Sequence, residues 1–222
     1  MFVNNQSLLF IGDSITDTSR SRPIGKAVYK DTGIYTSTGL GSGYVSIINN
    51  HLIAKYPALN LTLLNQGING NRVTDLDKRW QKDVIDQKPD WLTILIGIND
   101  VWHQFDKPED PHQVLIEEYE LTYRRIIESS KVKADNLILM SPFLLETDQT
   151  DPMRMKMIEY GKVVKAIATD YQCLFIDLQK AFDQFLECRP LESISLDKVH
   201  MNKAGHTIIA QTYLQAIESH LP

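Results

Sequence analysis

Five short apolar runs punctuate the chain, at Leu8 to Ile11, Leu61 to Leu64, Trp91 to Ile96, Leu137 to Met140 and Leu174 to Ile176, interrupted only by Thr62 and Thr93. Runs of this kind suit strands covered on both faces, because regular alternation with polar residues appears only where one face meets water. Between them, apolar positions return at helical spacing around Tyr44 to Tyr56, Leu76 to Asp86, Val114 to Ser129, Met153 to Tyr171 and Lys203 to Ser219, which predicts amphipathic helices. Strand and helix therefore alternate, the order of a parallel sheet whose crossovers are helical. Since such crossovers are right-handed, helices should cover both faces and give a three-layer α/β/α sandwich around a central parallel five-stranded sheet.

Ligands of such sheets bind beyond the carboxyl ends of the strands, where strand order reverses, so chemistry should gather in the loops that follow the strands. Glycines and prolines punctuate those loops without marking a linker, and residues 1–222 read as a single domain. The one long irregular stretch, Thr18 to Ser42, carries Arg20, Arg22, Lys26, Tyr29, Lys30 and Tyr35 and is a candidate rim of the site. Its Gly39-Leu40-Gly41-Ser42-Gly43 run lacks a preceding strand, which argues against a dinucleotide loop.

Charge narrows the partners. A formal net charge of -5 with dispersed basic residues does not suit phosphate neutralisation, so no nucleic-acid partner is expected. Cys173 and Cys188 fit neither a zinc spacing nor a disulfide framework. The N-terminal MFVNNQSLLFIGDS has no basic region and too short an apolar run for a leader or a span. The expectation is a cytoplasmic protein without membrane association, cofactor or metal, acting on a small molecule or an oligosaccharide, and free to form a homo-oligomer.

Four segments at strand ends carry groups able to do chemistry. Gly12-Asp13-Ser14 places a hydroxyl after the first strand, although alone it reads more readily as a helix cap or turn. Asn65-Gln66-Gly67-Ile68-Asn69-Gly70-Asn71 follows the second, and its glycines would let backbone N–H groups approach a ligand. The third strand is expected to end in Gly97-Ile98-Asn99-Asp100, where the Asn99 amide could donate to the same ligand, or simply make a turn. Asp197-Lys198-Val199-His200, just before the last helix, lets a carboxylate reach an imidazole and fix its tautomer. His206 is expected to pack or cap at that helix start, and Asp177 to make a structural hydrogen bond.

Taken together, a Ser, a Gly, an Asn and a His block in this order resemble the GDSL/SGNH hydrolase family, from Leu8 to the end of the chain. The resemblance implies a flavodoxin-like α/β/α fold and a serine esterase. It makes Ser14 the nucleophile, His200 the base and Asp197 its orienter, with the Ser14 and Gly70 N–H groups and the Asn99 amide forming the oxyanion hole, and Gly67 as second choice of glycine. Lys78-Arg79-Trp80, Lys88-Pro89-Asp90-Trp91, Ile96 to Trp102 and Leu40 to Val45 look like the branch that holds bacterial acetylxylan esterases and lipase/acylhydrolase-like proteins. That implies removal of acetyl groups from carbohydrates, with acyl transfer or general short-chain acylhydrolase or thioesterase activity as alternatives. Asp13 and Trp102 are candidate substrate contacts, the latter by stacking on a sugar ring. A non-catalytic flavodoxin-like or carbohydrate-binding protein is the rival reading, and it would leave Asn99, Asp197 and His200 without a task.

Overall fold

The computed structural model describes residues 1–21 and 39–221, and between them the backbone of two short strands. The five apolar runs all become strands: β1 (Ser7–Gly12), β4 (Thr62–Gly67), β5 (Trp91–Leu95), β6 (Leu137–Met140) and β7 (Leu174–Ile176). They form one sheet in the order β4-β1-β5-β6-β7, every neighbouring pair parallel. Leu9, Phe10 and Ile11 of β1 are wholly buried, as the centre of a sheet covered on both faces requires. Within the Thr18 to Ser42 stretch, β2 (Val28–Tyr29) and β3 (Tyr35–Ser37) pair antiparallel, so a strand does precede Gly39, against expectation, but it belongs to a separate two-stranded sheet and not to the parallel one. The side chains of Arg22, Lys26, Tyr29, Lys30 and Tyr35, named above for the rim, lie outside the described residues.

Helices α2 (Tyr44–Lys55) and α8 (Lys203–Ala216) pack together, as do α3 (Val73–Trp80), α5 (Ile116–Ser130) and α6 (Pro152–Asp170). Handedness separates the two groups. The chain steps from β1 to β4 through α2 and returns across β1 to β5 through α3, so right-handed crossovers place α2 and α3 on opposite faces. The reversal falls at β1, which puts the switch point at the carboxyl ends of β1, β4 and β5.

Three boundaries differ from expectation, and each bears on the site. β4 runs on through Asn65, Gln66 and Gly67 because these polar residues are buried against other loops rather than turned to solvent. β5 stops at Leu95, and Ile98–Asp106 forms a helix, α4, where a turn was expected around Asn99 and Asp100. Gly97 takes φ +136°, and a Cβ there would press on the Pro142 ring and the Tyr119 hydroxyl, so glycine is needed to turn the chain into α4. A second short helix, α7 (Leu178–Leu186), starts at Asp177, whose carboxylate accepts the Lys180 N–H.

Candidate active site

Ser14 is the first residue of the four-residue helix α1 (Ser14–Asp17), which follows β1 after a single residue. The turn is built by Asp13, whose side chain accepts the Ile15 N–H at 2.9 Å. It is tightly seated: a Cβ on Gly12 would lie 2.2 Å from the Leu95 carbonyl, and one on Gly67 would lie 2.2 Å from the Asp17 nitrogen. Asn65 joins the same assembly from β4, donating to the Thr16 and Leu40 carbonyls and accepting the Gly67 N–H. The result holds a half-buried hydroxyl at the head of the sheet.

Asp13 was expected to touch substrate, and the structure corrects this. It is 1% exposed beneath the turn, with its function absorbed by capping. Burial pushes its carboxyl up to about 7, opposed by the Ile15 N–H and the nearby His200.

The last block is held in a tight local turn. Asp197 accepts the backbone N–H groups of Val199 and His200 through Oδ1, at 3.0 and 2.7 Å, and faces the His200 Nδ1 through Oδ2 at 2.7 Å. Lys198 completes the turn with φ +67°. Its carbonyl accepts the Leu145 N–H and its ammonium pairs with Glu146, which anchors the turn to the segment after β6. Partial desolvation raises the Asp197 carboxyl, but the His200 ring and the two backbone N–H groups outweigh it and hold it down at about 2. With Nδ1–H given to Asp197, Nε2 is left to accept the Ser14 hydroxyl, 3.0 Å away.

The second and third blocks meet beside Ser14. Gly70 has φ +78°, open space where a side chain would stand, and, among the described residues, no acceptor for its N–H. The Ser14 N–H is likewise left over, as expected at a helix start. Gly67 differs, because its N–H is already taken by Asn65 and its carbonyl by Arg20. Asn99 lies in the first turn of α4, 9% exposed, and gives one amide hydrogen to the Asn71 carbonyl at 3.0 Å. That bond orients the amide and leaves its second hydrogen unused. The next residue, Asp100, accepts the Val73 N–H at 2.9 Å and so fastens the start of α3 to α4.

A cavity of about 430 Å³ opens over Ser14 and His200, lined also by Ile15, Asp17, Thr18, Ser19, Asn69, Met201 and His206. Thr18 and Ser19 begin the long loop, so its described start borders the cavity. Trp102 stands half-buried with its ring 6.3 Å from that of His200. His206 packs rather than caps: it stacks on Tyr44, and burial lowers it to about 4, with the charge of His200 adding to the effect, while Asn202 caps α8. Among the described residues no group of three or more His, Cys, Asp or Glu could hold a metal ion, and no helix is long and apolar enough to cross a membrane.

Asp100 makes the site's base sensitive to pH. Fully buried, its carboxyl is raised from 3.8 to about 8, chiefly by desolvation, with the Val73 N–H opposing and the Asp13 charge adding. A folded-state value above the unfolded one favours the protonated form. Its contribution to stability is therefore full below about pH 4 and fades as pH rises through 8. Asp100→Asn keeps the acceptor for Val73 and stays neutral. Its urea midpoint should match wild type at pH 4 and exceed it by a growing margin towards pH 8, and parallel curves across that range would refute the buried neutral acid.

Residues 10–208 match the GDSL-like lipase/acylhydrolase family, and the chain belongs to it. Within the family it is 44% identical over 216 residues to an acetylxylan esterase of Geobacillus stearothermophilus, covering 96% of this chain and 94% of that one. The crystal structure of Axe2, an acetylxylan esterase from the same organism, aligns with a TM-score of 0.88 at 45% identity, over 98% of this chain and 96% of that one. LAE5, described as an alpha/beta hydrolase enzyme from the metagenome of Lake Arreo, Spain, aligns with a TM-score of 0.89 at 40% identity, covering 98% and 97%. Solved Axe2 variants described as catalytic mutants replace a serine, an aspartate and a histidine by alanine.

Proposed function

We propose that the protein is a serine esterase that removes acetyl groups from carbohydrate hydroxyls, with Ser14, His200 and Asp197 as its catalytic residues. The observation that carries this reading is the continuous relay from the Asp197 carboxylate through the His200 ring to the Ser14 hydroxyl, with links of 2.7 and 3.0 Å, opening into a cavity that Ser14 lines together with Asn69, the neighbour of Gly70. His200 takes the Ser14 proton as Oγ attacks the ester carbonyl. The Ser14 and Gly70 N–H groups and the free hydrogen of Asn99 receive the oxyanion. His200 then returns the proton to the departing sugar oxygen, leaving an acyl-serine, and activates water to release the acid by the same steps in reverse order.

The lining of the cavity favours a small acyl group on a hydroxyl-rich partner. Asp17, Thr18, Ser19, Asn69 and His200 offer polar contacts, whereas Ile15 and Met201 are the main apolar ones, too little surface for a long alkyl chain. Val101, the neighbour of Trp102, is wholly buried in the core and takes no part in the cavity wall. Trp102, half-buried with its ring 6.3 Å from that of His200, is suited to stacking on a sugar ring. The likeness to an acetylxylan esterase supports the same substrate class.

Acetylated xylo-oligosaccharides and monosaccharides, assayed beside aryl acetate, butyrate and octanoate, distinguish the alternatives. The expected order is acetyl over butyryl over octanoyl, with acetate released from the acetylated sugars. Faster turnover of octanoate, with no acetate from any saccharide, would overturn the carbohydrate reading and leave the serine esterase standing.

A further inference from the structure

Arg79, on the last turn of α3, reaches under the site to the strand end that leads into Ser14 and to the loop residue that follows Gly70 and holds Asn99. Its Nε donates to the Asn71 side chain at 2.8 Å, one guanidinium nitrogen donates to the Gln66 carbonyl at 2.8 Å, and the other donates to the Gly12 carbonyl at 3.2 Å. Asp83, four residues on and 6% exposed, receives the charge at 2.7 Å and fixes the guanidinium from its own helix. Gly12 lies two residues before Ser14. Asn71 follows Gly70 directly, and its carbonyl orients the Asn99 amide.

From these contacts we infer that Arg79 is the positioning residue of the oxyanion hole, setting the distance between the Ser14 turn and the Gly70-Asn71 loop while touching no substrate itself. The physical need is plain. Gly70 and Asn69 are exposed and a Cβ on Gly70 would meet nothing, so hydrogen bonds must hold the loop: the Ile68 N–H to the Gly12 carbonyl and the Asn69 N–H to the Asp17 carboxylate tie its start to the Ser14 turn, and Arg79 holds its end at Asn71. Donors must sit where charge develops, and displacement by about 1 Å is enough to cost about a hundredfold in rate. A planar guanidinium can bridge three acceptors at fixed spacing, whereas a lysine ammonium is a point charge on a flexible stem. Arg79→Lys therefore keeps the pair with Asp83 and loses the bridge.

The inference rests on the serine-esterase reading, and the test separates the two. Wild type and Arg79→Lys are titrated with an aryl phosphonate that labels Ser14, so that kcat is expressed per reactive site, and the affinity of a boronic acid is measured as a mimic of the tetrahedral anion. The expected result is a fall in kcat per titrated site of about ten- to a hundredfold, KM for aryl acetate within about threefold, and a loss of boronate affinity matching the loss in kcat/KM. A residue that only supports the fold would lower the number of titratable sites and leave kcat per site unchanged. That outcome, or full boronate affinity beside a reduced kcat, would overturn the inference. Should Arg79→Lys not fold, Asn71→Ala decides alone: it removes one acceptor of the guanidinium, keeps the carbonyl that holds Asn99, and should show the same paired loss, about tenfold. An unchanged boronate affinity in Asn71→Ala would count against the inference. A wild-type enzyme that neither turns over esters nor reacts with the phosphonate would instead overturn the parent reading.

Discussion

Ser14→Ala should yield a protein that folds and melts like wild type but hydrolyses aryl acetate on the order of 10⁴ to 10⁶ times more slowly. The two halves of this expectation come from different contacts. The Ser14 side chain is half-buried at the head of the sheet, and its hydroxyl bonds only to the His200 ring, so its removal leaves the core and the Asp13 cap intact. Substitutions of this kind usually fall within about 0.5 kcal/mol of wild type in stability. The chemical half is large because His200 has no hydroxyl left to activate and the oxyanion donors then face only water attack. Melting temperature, steady-state kcat and mass spectrometry of the acyl-protein formed from aryl acetate check both halves. Turnover within tenfold of wild type in the folded variant, or acylation at another residue, would remove Ser14 from its role.

The legibility of the fold varied with the kind of burial. The strands at Leu8, Trp91, Leu137 and Leu174 could be read from the sequence because a strand packed within the sheet is apolar at nearly every position, Thr93 being the one buried polar residue of β5. The end of β4 was not, because Asn65 is buried through bonds to the distant Thr16 and Leu40 carbonyls, which no local pattern announces. α4 was hidden by its own chemistry. Gly97, Asn99 and Asp100 favour turns, and the helix starts without a side-chain cap, although Ile98, Val101, Trp102 and Phe105 carry the helical spacing that should have revealed it. α7 had a readable start in Asp177, with Leu178, Phe182 and Phe185 following at four and seven residues.

Within the site, the groups that do chemistry were easier to find than those that hold them. Ser14, Asn99, Asp197 and His200 stand in short blocks, and each block is partly organised by itself, as in the Asx-type turn at Asp197. Asp13 was misjudged because a carboxylate beside a nucleophile suggests contact with substrate, while its burial is decided by the Ile15 N–H and the packing above it. Arg79 was noticed only as part of a branch motif. A single arginine on an amphipathic helix looks like solvated charge until Gly12, Gln66 and Asn71, which are up to 67 residues away, are folded around it.

Asp197→Asn should lower kcat by about a thousandfold or more while leaving KM within a few-fold, the second largest loss expected from a single change. The side chain does two things through two oxygens. Oδ1 accepts the Val199 and His200 backbone N–H groups, which asparagine can still do, so the turn and the placement of the ring should survive. Oδ2 accepts from the His200 Nδ1, and an amide NH₂ in that place would favour the tautomer with the proton on Nε2, where it cannot receive the Ser14 hydrogen. Because the carboxyl is held at about 2, it stays ionised across any practical assay range, so the deficit should persist from pH 5 to 9. Asp177→Asn is the matched control, since it sits at another strand end, caps α7 through the Lys180 N–H, and asparagine caps nearly as well. It should retain activity within about twofold, because substitutions that preserve a cap and touch no reacting group are close to neutral. Activity lost at Asp177 and kept at Asp197 would reverse the choice of acid, and equal small effects at both would mean that Ser14 and His200 act as a pair without a carboxylate.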